Sequence, residues 1–214
     1  MKSTFYQTVI PYVRDKAVLD VGSIGHSYAG REGYKTWNFA VLREHASSIR
    51  GFDLASLSEE ILAAQADGFD IDIGDAEDYR CDPRVDVVFA GDLIEHLSNP
   101  GRFLEAAHGN LLDRGRLVLS TPNTFSFAKL FRVAVRRTNE PPVNPEHTFY
   151  FTPATLAHLA SRHGFRLHEV RYCELDYTAG HGAFWKRAQL AVNARLSRAV
   201  PRFSQTMVLV FDRV

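Results

Sequence analysis

Hydrophobic and polar positions follow two alternating spacings along the chain, one typical of buried strands and one typical of amphipathic helices. Short apolar runs predict five strands, over residues 17–21, 49–53, 69–73, 85–90 and 116–120. Apolar residues at helical spacing predict helices between them, within residues 36–48, 57–68 and 101–115. Strands that alternate with helices in this way are typical of an α/β protein with a parallel sheet.

The second part of the chain departs from this alternation. After the fifth strand, residues 121–148 form a longer excursion that contains the turn-rich sequence TNEPPVNPE. A helix over 153–163 and strands over 165–175 and 206–214 follow. We expect the last two strands to form an antiparallel edge on an otherwise parallel sheet.

Capping residues predict several helix boundaries. A helix start is predicted at Asn99–Pro100 and another at Thr152–Pro153, because a capping side chain followed by proline is typical of the first turn. Glycines that are expected to end helices in the left-handed conformation are Gly68, Gly115 and Gly164.

Length and composition favour one domain spanning residues 1–214. The chain is 45% hydrophobic and has no run of about 18 apolar residues, so we expect a soluble, globular protein. No long apolar core follows the first lysine, which predicts a cytoplasmic location. Cys81 and Cys173 lack the spacing of a disulfide framework or a zinc ribbon.

The net charge is zero, but the charges are unevenly distributed. Thirteen of the 25 acidic residues lie between Asp53 and Glu95. Residues 114–139 contain six basic residues and no acid, and residues 177–211 contain five and no acid. These basic segments are either solvated helix faces or contacts to an anionic partner. The overall balance argues against nucleic acid as that partner.

A glycine-containing loop follows the first strand, in the sequence AVLDVGSIGHSYAG. A dinucleotide fold uses G-x-G-x-x-G so that the backbone can approach a pyrophosphate. Here Ile24 occupies the second glycine position, the third glycine is missing, and about ten extra residues precede the next helix. The loop therefore favours a ligand that presents an amino acid moiety and a nucleoside over a nicotinamide dinucleotide.

Residues 17–170 resemble the class I S-adenosylmethionine-dependent methyltransferases. The resemblance rests on four motifs in the family's order, VLDVGSIG, GFDLAS, GDAEDY and DVVFAGDLIEHLSNP, and on the later HTFYFTPATLAHLASRHGF. It departs from the family in the irregular glycine loop and in the insertion at residues 26–35. The resemblance implies a Rossmann-like, doubly wound, mostly parallel seven-stranded sheet with an antiparallel last strand.

The resemblance also implies a site for S-adenosylmethionine at the strand ends. It places Asp20, Gly22, Ser23 and Gly25 around the methionine group, Asp53 and Leu54 at the ribose hydroxyls, Asp75 and Ala76 at the adenine, and Gly91 on the path to the sulfonium. The alternative is that these are turn residues, with Asp53 capping the helix that follows.

Four further residues are candidates for deprotonating an acceptor hydroxyl, namely Asp92, Glu95, His96 and His147. On a helix beginning at Asp92 the first three share one face, and they could hold a divalent metal such as Mg or Mn together with His147. This pattern resembles the metal-assisted O-methyltransferases of ubiquinone biosynthesis and the small-RNA 2'-O-methyltransferases, in which the first acid is usually Glu. Two alternatives stay open: a capping box formed by Asp92 and Glu95, and His96 or His147 as a metal-free base.

Three segments outside the predicted sheet, namely the N-terminal helix and residues 121–150 and 176–203, are expected to form the acceptor side. Their basic and aromatic residues predict a small-molecule, saccharide or lipid acceptor that is anionic or carries a ring. The residues concerned are Lys129, Arg132, Arg136, Arg137, Phe149, Tyr150, Phe151, Phe184 and Trp185. Residues 184–199 form an amphipathic stretch that either lies on a membrane surface or covers the sheet.

The predicted function is methyl transfer, most readily to oxygen. A scaffold protein that keeps the fold without turnover, and an RNA 2'-O-methyltransferase, are the alternatives. The sequence leaves the oligomeric state open.

Overall fold

The computed structural model describes residues 4–25, 37–136, 144–174, 195–196 and 199–214. Within these ranges the chain forms six α-helices and seven strands. The helices are α1 Thr4–Val13, α2 Asn38–Arg43, α3 Ser58–Ala66, α4 Pro100–Asn110, α5 Phe127–Arg136 and α6 Pro153–Ser161. The strands are β1 Ala17–Val21, β2 Ser48–Asp53, β3 Ile71–Ile73, β4 Val85–Gly91, β5 Leu111–Pro122, β6 Phe165–Cys173 and β7 Thr206–Arg213.

All seven strands belong to one sheet in the order β3-β2-β1-β4-β5-β7-β6. The five strands from β3 to β5 are parallel, and β7 is antiparallel to both β5 and β6. The predicted mostly parallel, Rossmann-like sheet with an antiparallel last strand is confirmed. The last strand, β7, lies inside the sheet rather than at its rim, because it pairs with a strand on each side.

Both faces of the sheet are buried, so its central strands are apolar on both sides. On one face, Leu119 and Leu209 pack with Phe103 of α4 and Leu156 of α6. On the other face, side chains of β1, β4, β5 and β7 pack with Val9 of α1. Each fully buried side chain of this kind contributes about 1.5–3 kcal/mol relative to exposure.

The boundary between α4 and β5 differs from the prediction. Helix α4 ends at Asn110, and the chain enters β5 at the buried Leu111, which pairs with Val85 of β4. Gly115 is therefore a strand residue and not a helix terminator, and the left-handed position is taken by Arg114, with φ 66°. The predicted helical pattern of residues 101–115 was wrong in its last third because strand pairing outweighs helical spacing there.

The other predicted boundaries are largely confirmed. Gly68 and Gly164 have φ values of 85° and 79° and follow α3 and α6, as expected. Thr152 caps α6, since its side chain accepts a hydrogen bond from the backbone N–H of Thr155 at 3.2 Å. Asn99 occupies the N-cap of α4 without a capping bond from its side chain.

Part of the predicted acceptor side lies outside the described residues. Arg137, Phe184, Trp185 and nearly all of the amphipathic stretch 184–199 lie there. The insertion at residues 26–35, beside the glycine loop, also lies outside the described residues. In the described part of the chain, no helix has both the length and the apolar character needed to cross a membrane.

Candidate active site

A cleft opens at the carboxyl ends of β1, β2 and β3, where parallel α/β sheets bind ligands. Five of the predicted cofactor residues line it, together with His96 from the turn after β4. These five are Gly22, Asp53, Leu54, Asp75 and Ala76. Asp20 and Ser23 are buried in β1 and in the following loop, Gly25 is exposed, and Gly91 ends β4. The structure thus places all the predicted cofactor residues at one edge of the sheet.

The glycine loop is tied to β2 by its own backbone amides. Gly22 and Gly25 adopt the left-handed conformation, with φ values of 74° and 68°. The N–H groups of Ile24 and Gly25 donate to Oδ2 of Asp53, at 2.9 and 3.3 Å. In a phosphate-binding loop such amides point at the ligand. Here two of them are occupied by Asp53, which accounts physically for the loss of the dinucleotide glycine pattern.

Asp53 keeps little free hydrogen-bonding capacity. Its Oδ1 accepts from the N–H of Leu54 at 2.8 Å, in addition to the two bonds at Oδ2. Because a carboxylate has about four acceptor positions, these bonds leave about one at Oδ1. Burial raises the pKa of Asp53, and its three backbone hydrogen bonds oppose that shift. The alternative role as a helix cap is wrong, since Leu57 holds the N-cap position of α3.

Asp20 lies beneath the loop as a buried carboxylate. Its Oδ2 has no hydrogen-bond partner within the described residues. Burial, and secondly the charge of Asp53, raise the pKa of Asp20 well above its ordinary value. Two adjacent buried carboxylates make this end of the cleft suited to a cationic ligand group, which would satisfy the unpartnered oxygen.

The first two helices contribute Tyr6 and Asn38 beside Asp20 and the end of β4, and neither residue is among those predicted from the sequence. The hydroxyl of Tyr6 donates to Oδ1 of Asn38 at 3.0 Å. Burial and the charge of Asp20 raise the pKa of Tyr6 to about 12. A Cβ atom at Gly91 would lie 2.8 Å from Nδ2 of Asn38, so the absence of a side chain there lets Asn38 pack closely against the strand end. A sequence signal for Tyr6 and Asn38 was lacking because both come from helices with no motif.

Asp75 forms a local turn at the cleft rim. Its Oδ1 accepts a hydrogen bond from the N–H of Glu77 at 2.9 Å, and its backbone carbonyl accepts from Tyr79. Asp75 therefore has the conformation of a turn residue, as the alternative interpretation of the sequence predicted. This conformation is compatible with the cofactor interpretation, since Asp75 and Ala76 both line the cleft.

The segment after β4 is not the helix that the sequence predicted. Asp92 has φ 48°, and a short 3-10 turn spans Ile94–His96. Oδ1 of Asp92 accepts a hydrogen bond from Oγ of Ser120 at 2.9 Å. The backbone N–H of Asp92 donates to Ser120 as well, so pairing with β5 turns Asp92 away from the helical path. Asp92 therefore shares no helix face with Glu95 and His96 and forms no capping box with Glu95. Both predictions are wrong for this residue.

Glu95, His96 and His147 nevertheless come together. One possible ligand atom from each lies within 4.8 Å of the others, and the two imidazole centroids are 4.6 Å apart. The backbone carbonyl of Glu95 accepts from the N–H groups of Thr148 and Phe149, at 2.8 and 3.2 Å. These bonds attach the segment that carries His147 to the 3-10 turn. Three of the four predicted metal-site residues are therefore clustered, and Asp92 is outside the cluster.

Glu95 is the buried carboxylate of this cluster. Its Oε2 accepts from Oγ1 of Thr121 at 2.8 Å, whereas its Oε1 is buried with no hydrogen-bond partner within the described residues. Burial, reinforced by the charge of Asp92, raises the pKa of Glu95 to about 8. Thr121, a contact not predicted from the sequence, lies near the end of β5 beside the 3-10 turn, and its position at a strand tip is the signal that the sequence offers.

Lys129 of α5 faces the same buried carboxylates. Its Nζ is buried without a hydrogen-bond partner among the described residues and lies 5.1 Å from the ring centroid of Tyr150. Burial lowers the pKa of Lys129, and the charges of Glu95 and Asp92 oppose that shift. Of the other predicted acceptor residues, Phe151 is buried in the core and stacks with Phe149. It is therefore a packing residue.

Comparison with known proteins agrees with this architecture. A family model described as a methyltransferase domain matches residues 11–170. Among solved structures, an S-adenosylmethionine-dependent methyltransferase from Archaeoglobus fulgidus is similar, with TM-score 0.63, 19% identity, and coverage of 98% of this chain and 92% of that chain. Another from Mesorhizobium loti gives TM-score 0.60 at 14% identity, with coverage of 98% and 96%.

A third similar structure contains a bound product. Magnesium protoporphyrin IX methyltransferase from Synechocystis PCC 6803, solved with S-adenosylhomocysteine, gives TM-score 0.59 at 14% identity, with coverage of 99% of this chain and 83% of that chain. At these identities the structural likeness shows the fold. None of the curated protein sequences compared with the chain matches it at a significant level.

The family match spans most of the chain, from the end of α1 to β6. The chain therefore belongs to the methyltransferase-domain family, and it is an S-adenosylmethionine-dependent methyltransferase.

Proposed function

We propose that this enzyme methylates a hydroxyl oxygen of a small-molecule acceptor. The observation that carries the proposal is the position of His96, which lines the cofactor cleft and also belongs to the cluster with Glu95 and His147. Groups able to remove a proton thus stand at the inner end of the cleft. Oxygen acceptors need such groups because a hydroxyl must lose its proton during the transfer.

The proposed cofactor roles follow the position of each residue. Asp20 would pair its unpartnered oxygen with the methionine ammonium, beside the backbone of Gly22, Ser23 and Gly25. The remaining acceptor position of Asp53 suits one ribose hydroxyl, with Leu54 alongside. Asp75 and Ala76 at the rim would meet the adenine, and Gly91 would lie on the path to the sulfonium. When bound, the cofactor supplies the activated methyl group.

The chain itself would orient the reactants and receive the proton. Holding an acceptor oxygen in line with the methyl carbon in a dry site is worth about 7–11 kcal/mol in favourable cases. Glu95, His96 or His147 would accept the hydroxyl proton as the oxygen attacks. A pKa of about 8 at Glu95 makes it a base of useful strength near neutral pH.

The same three residues fit a divalent metal. Oε1 of Glu95 is buried and unpartnered within the described residues, and two imidazoles face it. Two nitrogens and one oxygen suit Mn or Zn better than Mg, which prefers oxygen ligands. A bound ion would lower the pKa of the acceptor hydroxyl. A metal-free base is the second candidate, favoured by the perturbed pKa of Glu95.

Titration calorimetry and a turnover assay together test the proposal. We expect binding of S-adenosylmethionine and S-adenosylhomocysteine and none of NAD. Incubation with methyl-labelled cofactor and fractionated small metabolites should label a compound at oxygen. Binding without labelling of any fraction would favour the scaffold alternative, and labelling at nitrogen or carbon would refute the oxygen assignment. Loss of labelling in EDTA, restored by Mn or Zn, would establish the metal.

The chemistry of the acceptor pocket is proposed from Lys129. Its buried, unpartnered ammonium beside Tyr150 would accommodate an anionic or aromatic oxygen acceptor. Lys129→Met should then raise the KM for the labelled acceptor at least about tenfold, the loss expected for a charge-assisted contact. Equal KM values would refute an anionic contact at this residue.

A further inference from the structure

Helix α5 exposes most of its large apolar side chains and buries the charged end of a lysine. Leu130, Phe131 and Val135 are 39%, 52% and 62% exposed. With Ala134, also exposed, they fall within an arc of about 140° around the helix. Lys129, on the opposite side, buries its Nζ near the carboxylates of Glu95 and Asp92. An ordinary surface helix directs its apolar stripe toward the core and its charges toward water.

The exposed face is continuous with further apolar and basic groups. Phe125, in the turn before α5, is 51% exposed, and Phe127 stacks with Phe131 at a centroid distance of 6.0 Å. Arg132 is exposed and flanks the apolar arc. We call the exposed side chains of Phe125, Leu130, Phe131 and Val135 the α5 ridge. Contiguous exposed apolar groups of this kind mark an interaction surface.

Charge decides what the ridge contacts. Residues 123–139, which include α5, hold four basic residues and no acid, so a second copy that met this face through a twofold axis would bring like charges together. Residues 177–211 contain five basic residues and no acid, so they too lack complementary charge for α5. An anionic lipid surface offers both an apolar layer and negative charge.

We propose that the α5 ridge is a membrane-contacting surface that binds anionic lipid bilayers peripherally, with Phe131 and Val135 inserted and Arg132 at the headgroups. This inference goes beyond methyl transfer, because the contact requires no turnover. A bilayer on the ridge would lie beside the acceptor half of the site, since Lys129 of the same helix forms its wall.

Sedimentation of the full chain with vesicles tests the proposal. We expect binding to vesicles of equal parts phosphatidylcholine and phosphatidylglycerol, and much weaker binding to phosphatidylcholine alone. Phe131→Ser with Val135→Ser should lower the partition coefficient about tenfold or more. Arg132→Gln should lower it about fivefold at low salt, the effect of one basic residue at an anionic surface. Leu62→Ser is the matched control, because Leu62 is 63% exposed on α3, outside the ridge.

A second measurement reports insertion directly. A polarity-sensitive fluorophore on Val135→Cys should shift to the blue with the mixed vesicles, and the same label on Leu62→Cys should not. Failure of the unaltered protein to sediment with mixed vesicles would overturn the proposal, as would equal binding by the double variant. Light scattering that shows a dimer, converted to monomer by the double variant, would assign the ridge to a second copy instead.

Discussion

The two halves of the proposed site, one for the cofactor and one for the acceptor, are built in different ways. At the cofactor half, β1, β2 and β3 end side by side, and the functional groups lie at or directly after the strand ends. At the acceptor half, a 3-10 turn, a loop that carries His147 and a helix that carries Lys129 converge from distant parts of the chain. The cofactor half therefore depends on the backbone of the sheet. The acceptor half depends on side chains held by a few loop hydrogen bonds.

Replacing His147 should produce the largest effect, because it tests the half that depends on side chains. His147→Ala is expected to reduce methyl transfer about 10²–10⁴-fold, the range for loss of a general base or its equivalent. Binding of S-adenosylhomocysteine should be unchanged, since His147 does not line the cofactor cleft. The rate constant and calorimetric affinity, measured on the same preparation, check both statements. His158→Ala, on α6, is the control, and an equal loss in that variant would contradict a specific role.

Replacing Asp53 tests the cofactor half, in which its carboxylate accepts hydrogen bonds from the backbone of the glycine loop. Asp53→Ala should weaken S-adenosylhomocysteine binding about 10- to 100-fold, as expected for loss of charge-assisted hydrogen bonds. It also frees the N–H groups of Ile24 and Gly25, so their amide exchange should accelerate. Asp70→Ala, which removes an exposed carboxylate near β3, is the control. Unchanged affinity in Asp53→Ala would remove this residue from the cofactor site.

Replacing Asp20 is expected to change the free energy of unfolding and the affinity for the cofactor in opposite directions. Its native pKa is raised, so the native state retains a proton at pH values where the unfolded chain has lost it. The associated stability is complete below about pH 4, the unfolded pKa, and is lost as pH rises through the native pKa. Asp20→Asn should therefore stabilise the ligand-free protein at pH 7, by about 1–3 kcal/mol, and weaken S-adenosylmethionine binding.

Urea unfolding at several pH values checks the prediction for Asp20. The difference between variant and original protein should grow from acid to neutral pH. An equal difference at every pH would show that the titration of Asp20 does not contribute.

The smallest effect is expected at Asp92. Asp92→Asn tolerates the positive φ, keeps an acceptor for Ser120, and leaves the Glu95 cluster in place. The affinity for Mn or Zn should change less than about threefold, whereas Glu95→Gln should reduce it about tenfold or more. Equilibrium dialysis measures both. A large loss in Asp92→Asn would restore Asp92 to the ligand set.

The same contrast explains what the sequence could predict. Strand ends are readable because each follows a short apolar run, and the family resemblance places Asp20, Asp53 and Asp75 at those ends, along one edge of the sheet. The spacing of Asp92, Glu95 and His96 was misleading because it assumed a helix. Pairing of Asp92 with Ser120 replaces that helix with a 3-10 turn. Tyr6, Asn38 and Thr121 carry no motif, and only tertiary packing brings them to the site.

The position of β7 in the sheet affects how the chain folds during its synthesis. Its eight residues pair with β5 on one side and β6 on the other. Until they have left the ribosome, β5 lacks its second neighbour and β6 has no strand to pair with. Nascent chains stalled before residue 206 should consequently expose the apolar faces of both strands and recruit chaperones, and emergence of β7 should end that dependence.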